Sequence, residues 1–290
     1  MAEKNQIDEV TGVEMTDHEW DGIRELDMPL PRWWLWTFYI TIVWAIGYWV
    51  AMPSWPLIDD YARGLLGYSQ RATVAEEIAT AKAGQAQYLD RIAASDLATI
   101  ANTNDLRNFS LAGGRSAFAV NCVQCHGSGG AGGPGYPNLN DDAWLWGGTL
   151  EAIHTTLQHG IRAADPDTRL NDMPAFVRDG LIDRAQAADV VEYVLQISGQ
   201  EHDGAAATRG EAVFAEQCVA CHGPQARGQQ DLGAPNLTDA IWLYGGDRAT
   251  LLRTIAAGRK GVMPAWQGIL DPNTLKMLTV YVHSLGGGER

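Results

Sequence analysis

Four cysteines fall into two pairs of equal spacing, and each pair runs straight into a histidine: Cys122-Val123-Gln124-Cys125-His126 and Cys218-Val219-Ala220-Cys221-His222. Two thiols separated by two residues stand on one helical turn, where both reach the vinyl groups of one porphyrin. The next residue then projects its imidazole at the iron. A dithiol redox pair or a zinc site also uses CxxC, but neither calls for an immediate histidine in both copies. The spacing implies two covalently bound haem c groups, attached through Cys122, Cys125, Cys218 and Cys221, with His126 and His222 as proximal ligands.

Each iron then needs a sixth ligand. Met173 and Met263 both precede Pro-Ala-aromatic, as Met173-Pro174-Ala175-Phe176 and Met263-Pro264-Ala265-Trp266. A thioether is a soft ligand, and His/Met ligation raises a haem potential. His154 and His159 compete for this role in the first copy, where the second has Leu252 and Ala257. Pairing of each methionine with the haem of its own copy is simplest, and exchange between copies stays open. Pro137 and Pro235 are expected on the loop beneath each histidine, with a carbonyl accepting the second ring N–H. His18, His202 and His283 have no repeated partner.

The elements that must position these residues form an internal repeat. Gly114 and Phe118 precede Cys122 at the same steps as Gly210 and Phe214 precede Cys218, and Pro137-Asn138-Leu139 answers Pro235-Asn236-Leu237. Trp144-Leu145-Trp146-Gly147-Gly148 likewise answers Trp242-Leu243-Tyr244-Gly245-Gly246. Each copy closes on an apolar helical run, Val190 to Ile197 and Leu275 to Leu285. The reading is two all-α domains, 109–200 and 206–290, meeting in the Ala/Gly-rich stretch from Gly199 to Thr208. Within each, Phe118 with Tyr193, and Phe214 with Tyr281, pack where the first and last helices cross.

Ahead of the repeat, residues 1–31 form a polar tail rich in acid, among it Glu3, Asp8, Glu14 and Asp21. Trp33 to Met52 is a run of twenty residues without a charge, enough to span a bilayer core as one helix, so 32–52 is read as a transmembrane segment. Tryptophans and tyrosines cluster at both ends, as in interfacial aromatic belts. Residues 53–108 carry weak helical patterning and are read as a solvated connector. The chain has 290 residues and a net charge of −14, which argues against nucleic-acid binding and suits basic protein partners. Haem attachment outside the cytoplasm puts the tail on the cytoplasmic side of a bacterial inner membrane and residues 53–290 in the periplasm.

Two resemblances follow. The repeats look like class I cytochrome c domains through CxxCH, Pro-Asn-Leu, Met-Pro and the terminal helices. The front, Thr16-Asp17-His18-Glu19-Trp20-Asp21-Gly22-Ile23 and then Pro29-Leu30-Pro31-Arg32-Trp33-Trp34, is similar to the N-terminal signature of the CcoP (FixP) family, the dihaem subunit of cbb-type cytochrome c oxidases. Asp17 and Met28 depart from that signature. The resemblance implies a subunit that takes electrons from a donor cytochrome c and relays them through the monohaem subunit to the catalytic haem-copper subunit. In that reading the chain has no catalytic site of its own. A free-standing tethered dihaem carrier is the first alternative and a dihaem peroxidase the second.

Overall fold

The computed structural model describes residues 6–289, so residues 1–5, Glu3 among them, lie outside the description. Among the described residues the fold is helical, with β-bridges only as isolated pairs. The chain divides into two compact units, 1–83 and 84–290.

In the first unit the tail folds back on itself through the antiparallel bridges Ile7–Glu14, Met15–Leu26 and Trp20–Ile23. Helix α1, Arg32–Ala51, follows Pro31, whose missing N–H costs nothing ahead of a first helical turn. None of its side chains is buried, and the Thr37 and Thr41 hydroxyls donate back to the Trp33 and Phe38 carbonyls. A helix that is apolar all round and has its polar groups satisfied internally suits lipid rather than water. Beyond Pro53 the chain turns back, and the Leu65 and Leu66 amides donate to Val50 and Ala51, two carbonyls the helix end leaves free. Gly64, at φ +72, permits this return, because a Cβ there would press on the Ala51 and Met52 backbone.

Helix α2, Gln70–Ala94, runs into the second unit, where α3 (Leu97–Asn102) and α4 (Asn104–Asn121) follow. The one-turn α5, Val123–His126, carries the first cysteine-histidine motif, and α6 spans Leu150–His159. The second half repeats the pattern: α7 (Arg184–Ile197), α8 (Gly204–Gln217), the one-turn α9 (Val219–His222), α10 (Arg248–Ala257) and α11 (Pro272–His283). Short polar residues start most of these helices by accepting first-turn amides. Thr149, Asp247 and Asp271 each accept one, Asp203 accepts two, and Asp183 with Gln186 forms a reciprocal capping box.

The lobes that form do not follow the two copies. Helix α4 packs on α11, and α7 packs on α8. Phe118 meets Tyr281 with ring centroids 5.5 Å apart, and Phe214 meets Tyr193 at 5.1 Å. A Cβ on Gly114 would strike the Met277 carbonyl and Tyr281, and one on Gly210 would strike the Asp189 carbonyl, so these glycines set the close crossings. The first lobe therefore joins α3–α6 with α11, and the second joins α7–α10. The expected crossings within each copy, Phe118 with Tyr193 and Phe214 with Tyr281, are replaced by crossings between copies. The physical reason lies in the connection. The turn 198–203 between α7 and α8 is short enough to make these two helices antiparallel neighbours, and closing a short loop costs less entropy than closing a long one.

The connector also differs from expectation. Ile92, Ile100 and Leu106 are buried in one cluster with Met277 and Val280, and Tyr88 stacks on Phe109 at 4.7 Å. From residue 84 onward the stretch is a layer of the first lobe rather than a solvated spacer. Only the last turns of α2 meet this core, with Ile92 its one buried residue, which is why the helical pattern was weak.

Candidate haem sites

Each motif is placed by a helix that ends and restarts. Cys122 closes α4 in an αR conformation and lets α5 begin at once, with its carbonyl accepting from the Cys125 and His126 amides at 3.1 and 2.9 Å. Cys218, Cys221 and His222 repeat this at 3.2 and 2.9 Å. No disulfide joins the four cysteines. Burial pushes the Cys122 and Cys218 thiols up to about 11.

Behind each motif the chain folds tightly. The amides of Gly132 and Gly228 donate to the His126 and His222 carbonyls, and a Cβ at either glycine would collide with the backbone of the loop it closes. That loop brings the Pro137 carbonyl to 3.1 Å from His126 Nδ1 and the Pro235 carbonyl to 3.0 Å from His222 Nδ1. A carbonyl only accepts, so each Nδ1 carries the proton and Nε2 keeps its lone pair. Burial lowers both imidazole pKa values and favours the neutral form. Neither Nε2 has a hydrogen-bond partner among the described residues, as suits atoms that hold a metal.

The methionines arrive from the opposite copy. Met263 packs on the first-lobe core of Phe118, Cys122, Ile153 and Leu157, with Val123 beside it. Met173 packs on the second-lobe core of Phe214, Leu251 and Ile255, with Cys218 and Val219. Two antiparallel bridges hold the crossing strands. Met263 and Ile161 exchange backbone bonds at 3.0 and 2.9 Å, and Met173 and Arg259 do so at 3.1 Å both ways. Gly160 and Gly258 make this approach feasible, since a Cβ on either would overlap the Met263 or Met173 carbonyl. The structure thus seats Met263 on the core that holds Cys122, which opens the first motif, and Met173 on the core against which Cys218, which opens the second, also packs. His154 and His159 are engaged elsewhere, with Thr279 Oγ1 and Asp165 Oδ1, each at 3.0 Å. A cavity of about 870 Å³ lies between both proximal loops, lined by Pro137, Trp144, Pro235, Trp242 and Tyr244.

Sequence reasoning did not single out the C-terminal residues. Trp144 Nε1 donates to the Gly287 carbonyl, and the Glu289 carboxylate accepts from the Gly148 amide at 3.0 Å and from Gln230 at 2.7 Å. The tail thereby ties first-copy and second-copy loops together. No spacing announces such a contact.

Helical lobes with a histidine-bearing CxxC turn on one side and a methionine on the other are those of a c-type cytochrome, here a tandem one on an apolar helix. Family models match along the chain: the N-terminal domain of cytochrome oxidase-cbb3, FixP, at residues 12–59; cytochrome c at 111–198; and cytochrome c oxidase, cbb3-type, subunit III, at 205–282. The cbb3-type cytochrome c oxidase subunit CcoP of Cereibacter sphaeroides is 54% identical over 94% of this chain and 95% of its own length. The corresponding subunit FixP of Bradyrhizobium sp. is 52% identical, and CcoP of Azospirillum brasilense 51%, both over the full length of each chain. The chain belongs to the CcoP/FixP family of cbb3-type oxidase subunits and carries two covalently bound haem c groups.

Proposed function

We propose that this chain is the electron-input subunit of a cbb3-type oxidase, taking electrons from a donor cytochrome c and passing them through the monohaem subunit toward the catalytic haem-copper subunit. The observation that carries the reading is a pair of equivalent, largely half-buried His/Met sites interlocked in one unit, on a chain whose front matches the FixP N-terminal domain. Bound haem supplies a reversible one-electron change at iron. The residues supply the rest. Cys122, Cys125, Cys218 and Cys221 would anchor the cofactors, and Nε2 of His126 and His222 with the thioethers of Met263 and Met173 would hold the irons. Because the methionines are exchanged, Met263 serves the site of His126 and Met173 that of His222. Proline carbonyls fix both imidazoles, and the apolar cores exclude water, which keeps reorganisation small. Helix α1 anchors the chain, with the tail cytoplasmic and the haem lobes periplasmic.

Purification from solubilised membranes tests the assembly. Recovery with a haem b-containing partner is expected, and recovery as a lone chain without haem b refutes the subunit reading. The ligand exchange has its own test. Met263→Ala should shift the paramagnetic resonances of Val123 and His126, and Met173→Ala those of Val219 and His222; the reverse pattern would restore pairing within each copy.

A further inference from the structure

The loops that lead to the two methionines differ in length, yet both place a guanidinium in the same niche. In the second lobe Arg259 directly follows Gly258. Its Nε and Nη2 donate to Thr254 Oγ1 at 2.9 and 2.7 Å, and its guanidinium lies 4.0 Å from the Tyr244 ring centroid. In the first lobe the residue after Gly160 is Ile161, which has no charge to offer. The chain detours through residues 162–168 and returns Arg169 beside Ile161 as a parallel bridge. Arg169 then donates through Nε to Thr156 Oγ1 at 3.0 Å and through Nη2 to the Ala152 carbonyl at 3.2 Å, with its guanidinium 5.2 Å from the Trp146 ring centroid.

The two niches correspond residue for residue. Thr156 and Thr254 both accept the amide of the glycine that ends their helix, and Trp146 and Tyr244 hold the same place in Trp-Leu-aromatic-Gly-Gly. A loop of different length that restores the same charge to the same place argues that the charge is needed there.

What it needs is an anion. Both arginines are half-buried, and neither makes an ion pair among the described residues, although the chain has 35 acidic residues and Arg91, Arg209 and Arg248 all find carboxylates. Asp231 attracts Arg169 only from beyond ion-pair distance, and burial pulls that guanidinium's pKa down. A half-buried charge without a partner is costly, and a guanidinium held by two nitrogens keeps a third free for a carboxylate. Tyr244 lines the cavity between the proximal loops, and Leu145, next to Trp146, lines it too. Haem carries two propionate carboxylates.

We propose that Arg169 and Arg259 are positioning residues, one per lobe, that neutralise a haem propionate and so hold that haem at a higher potential. The inference rests on the two haem sites described above. A carboxylate left unneutralised would favour the oxidised iron, whereas a paired one would not.

Redox titration of the full chain in its solubilised complex tests this, with covalent haem counted by pyridine haemochrome in every sample. Arg169→Gln and Arg259→Gln should each retain two haems and each lower a different potential. The reduced-to-oxidised ratio of the affected haem at fixed ambient potential should fall roughly tenfold, about 59 mV for one electron. Arg→Lys at either site should recover most of that shift. Arg209→Gln, which breaks the pair with Asp189 and a bond to the Ala205 carbonyl, should change neither potential. Two haems at wild-type potentials in both Gln variants, or Lys variants no better than Gln, would overturn the proposal; loss of covalent haem from the wild-type chain would instead refute the haem sites. If a Gln variant does not accumulate, Thr156→Val and Thr254→Val decide, because they remove the hydroxyl to which each guanidinium donates. A smaller drop in the same potential is expected, and no drop in either refutes the role.

Discussion

The two lobes use the same parts but fasten their closing helix differently. In the second lobe α7 and α8 are joined by a short turn, and ionic contacts finish the clasp: Asp189 pairs with Arg209 at 2.6 Å, and Glu192 accepts from both Arg248 and the Asp203 amide. In the first lobe α11 comes from the far end of the chain, and no short connection holds it. There Lys276 Nζ donates to the Ile92, Ala93 and Ser95 carbonyls at 2.9, 3.1 and 2.7 Å, and Asn273 donates to the Leu89 carbonyl at 3.2 Å. Ile92, Ile100 and Leu106 add a buried apolar layer that the second lobe lacks. A distant helix needs more contact area to offset the entropy of closing a long loop, and a neighbouring helix does not.

The largest expected effect comes from removing α11. Ending the chain after Gly268 leaves the whole first copy and Met263 in the chain, yet the first lobe should lose its folded core and with it the seat of Met263. A chain of residues 109–200 that folded as a monomeric His/Met cytochrome would break the exchange outright. Core truncations come next. Leu278→Ala, a second-copy change, should cost about 2–5 kcal/mol and loosen the first lobe. Phe176→Ala, a first-copy change, should cost about 3–5 kcal/mol and loosen the second. Denaturant unfolding followed at each haem reads both, and effects confined to the mutated copy would contradict the comparison. Lys276→Met should cost about 1–3 kcal/mol through the Ala93 and Ser95 carbonyls it leaves unpaired, and act on the first lobe alone.

The smallest effect is the acid response of the second lobe. Arg248 holds the Glu192 carboxyl below its ordinary value. A depressed carboxylate contributes stability above its unfolded pKa and loses it as pH falls through the folded one. Glu192→Gln should therefore weaken the second lobe slightly at neutral pH and make no difference in strong acid. Added salt should shrink the difference, because the Arg248 side chain is 55% exposed. An equal acid response in the first lobe would remove the distinction between the clasps.

Much of the site was legible because it is local. Cys-x-x-Cys-His places three side chains within two turns, and Met-Pro-Ala-aromatic marks a loop whatever surrounds it. The proline carbonyls beneath His126 and His222 followed from the repeat as well. The partner of each methionine was not legible, and the repetition is the cause. Gly114 and Gly210, or Phe118 and Phe214, present the same face to whichever closing helix arrives, so pattern alone fits either pairing. The arginines escaped notice for a related reason: Arg169 and Arg259 follow their helix-ending glycines at different distances, and only the shared Thr-aromatic niche reveals their correspondence.

By itself the sequence determined two haem-binding turns, four candidate iron ligands, an apolar anchor and a helical fold, because each is written in spacings of a few residues that chain stereochemistry converts directly into geometry. Only the tertiary structure decided that the copies exchange their methionines and closing helices, and that residues 84–108 belong to the first lobe. Those outcomes depend on a competition among equivalent surfaces, settled by the length of the 198–203 turn and the area each helix can bury. No local pattern encodes either.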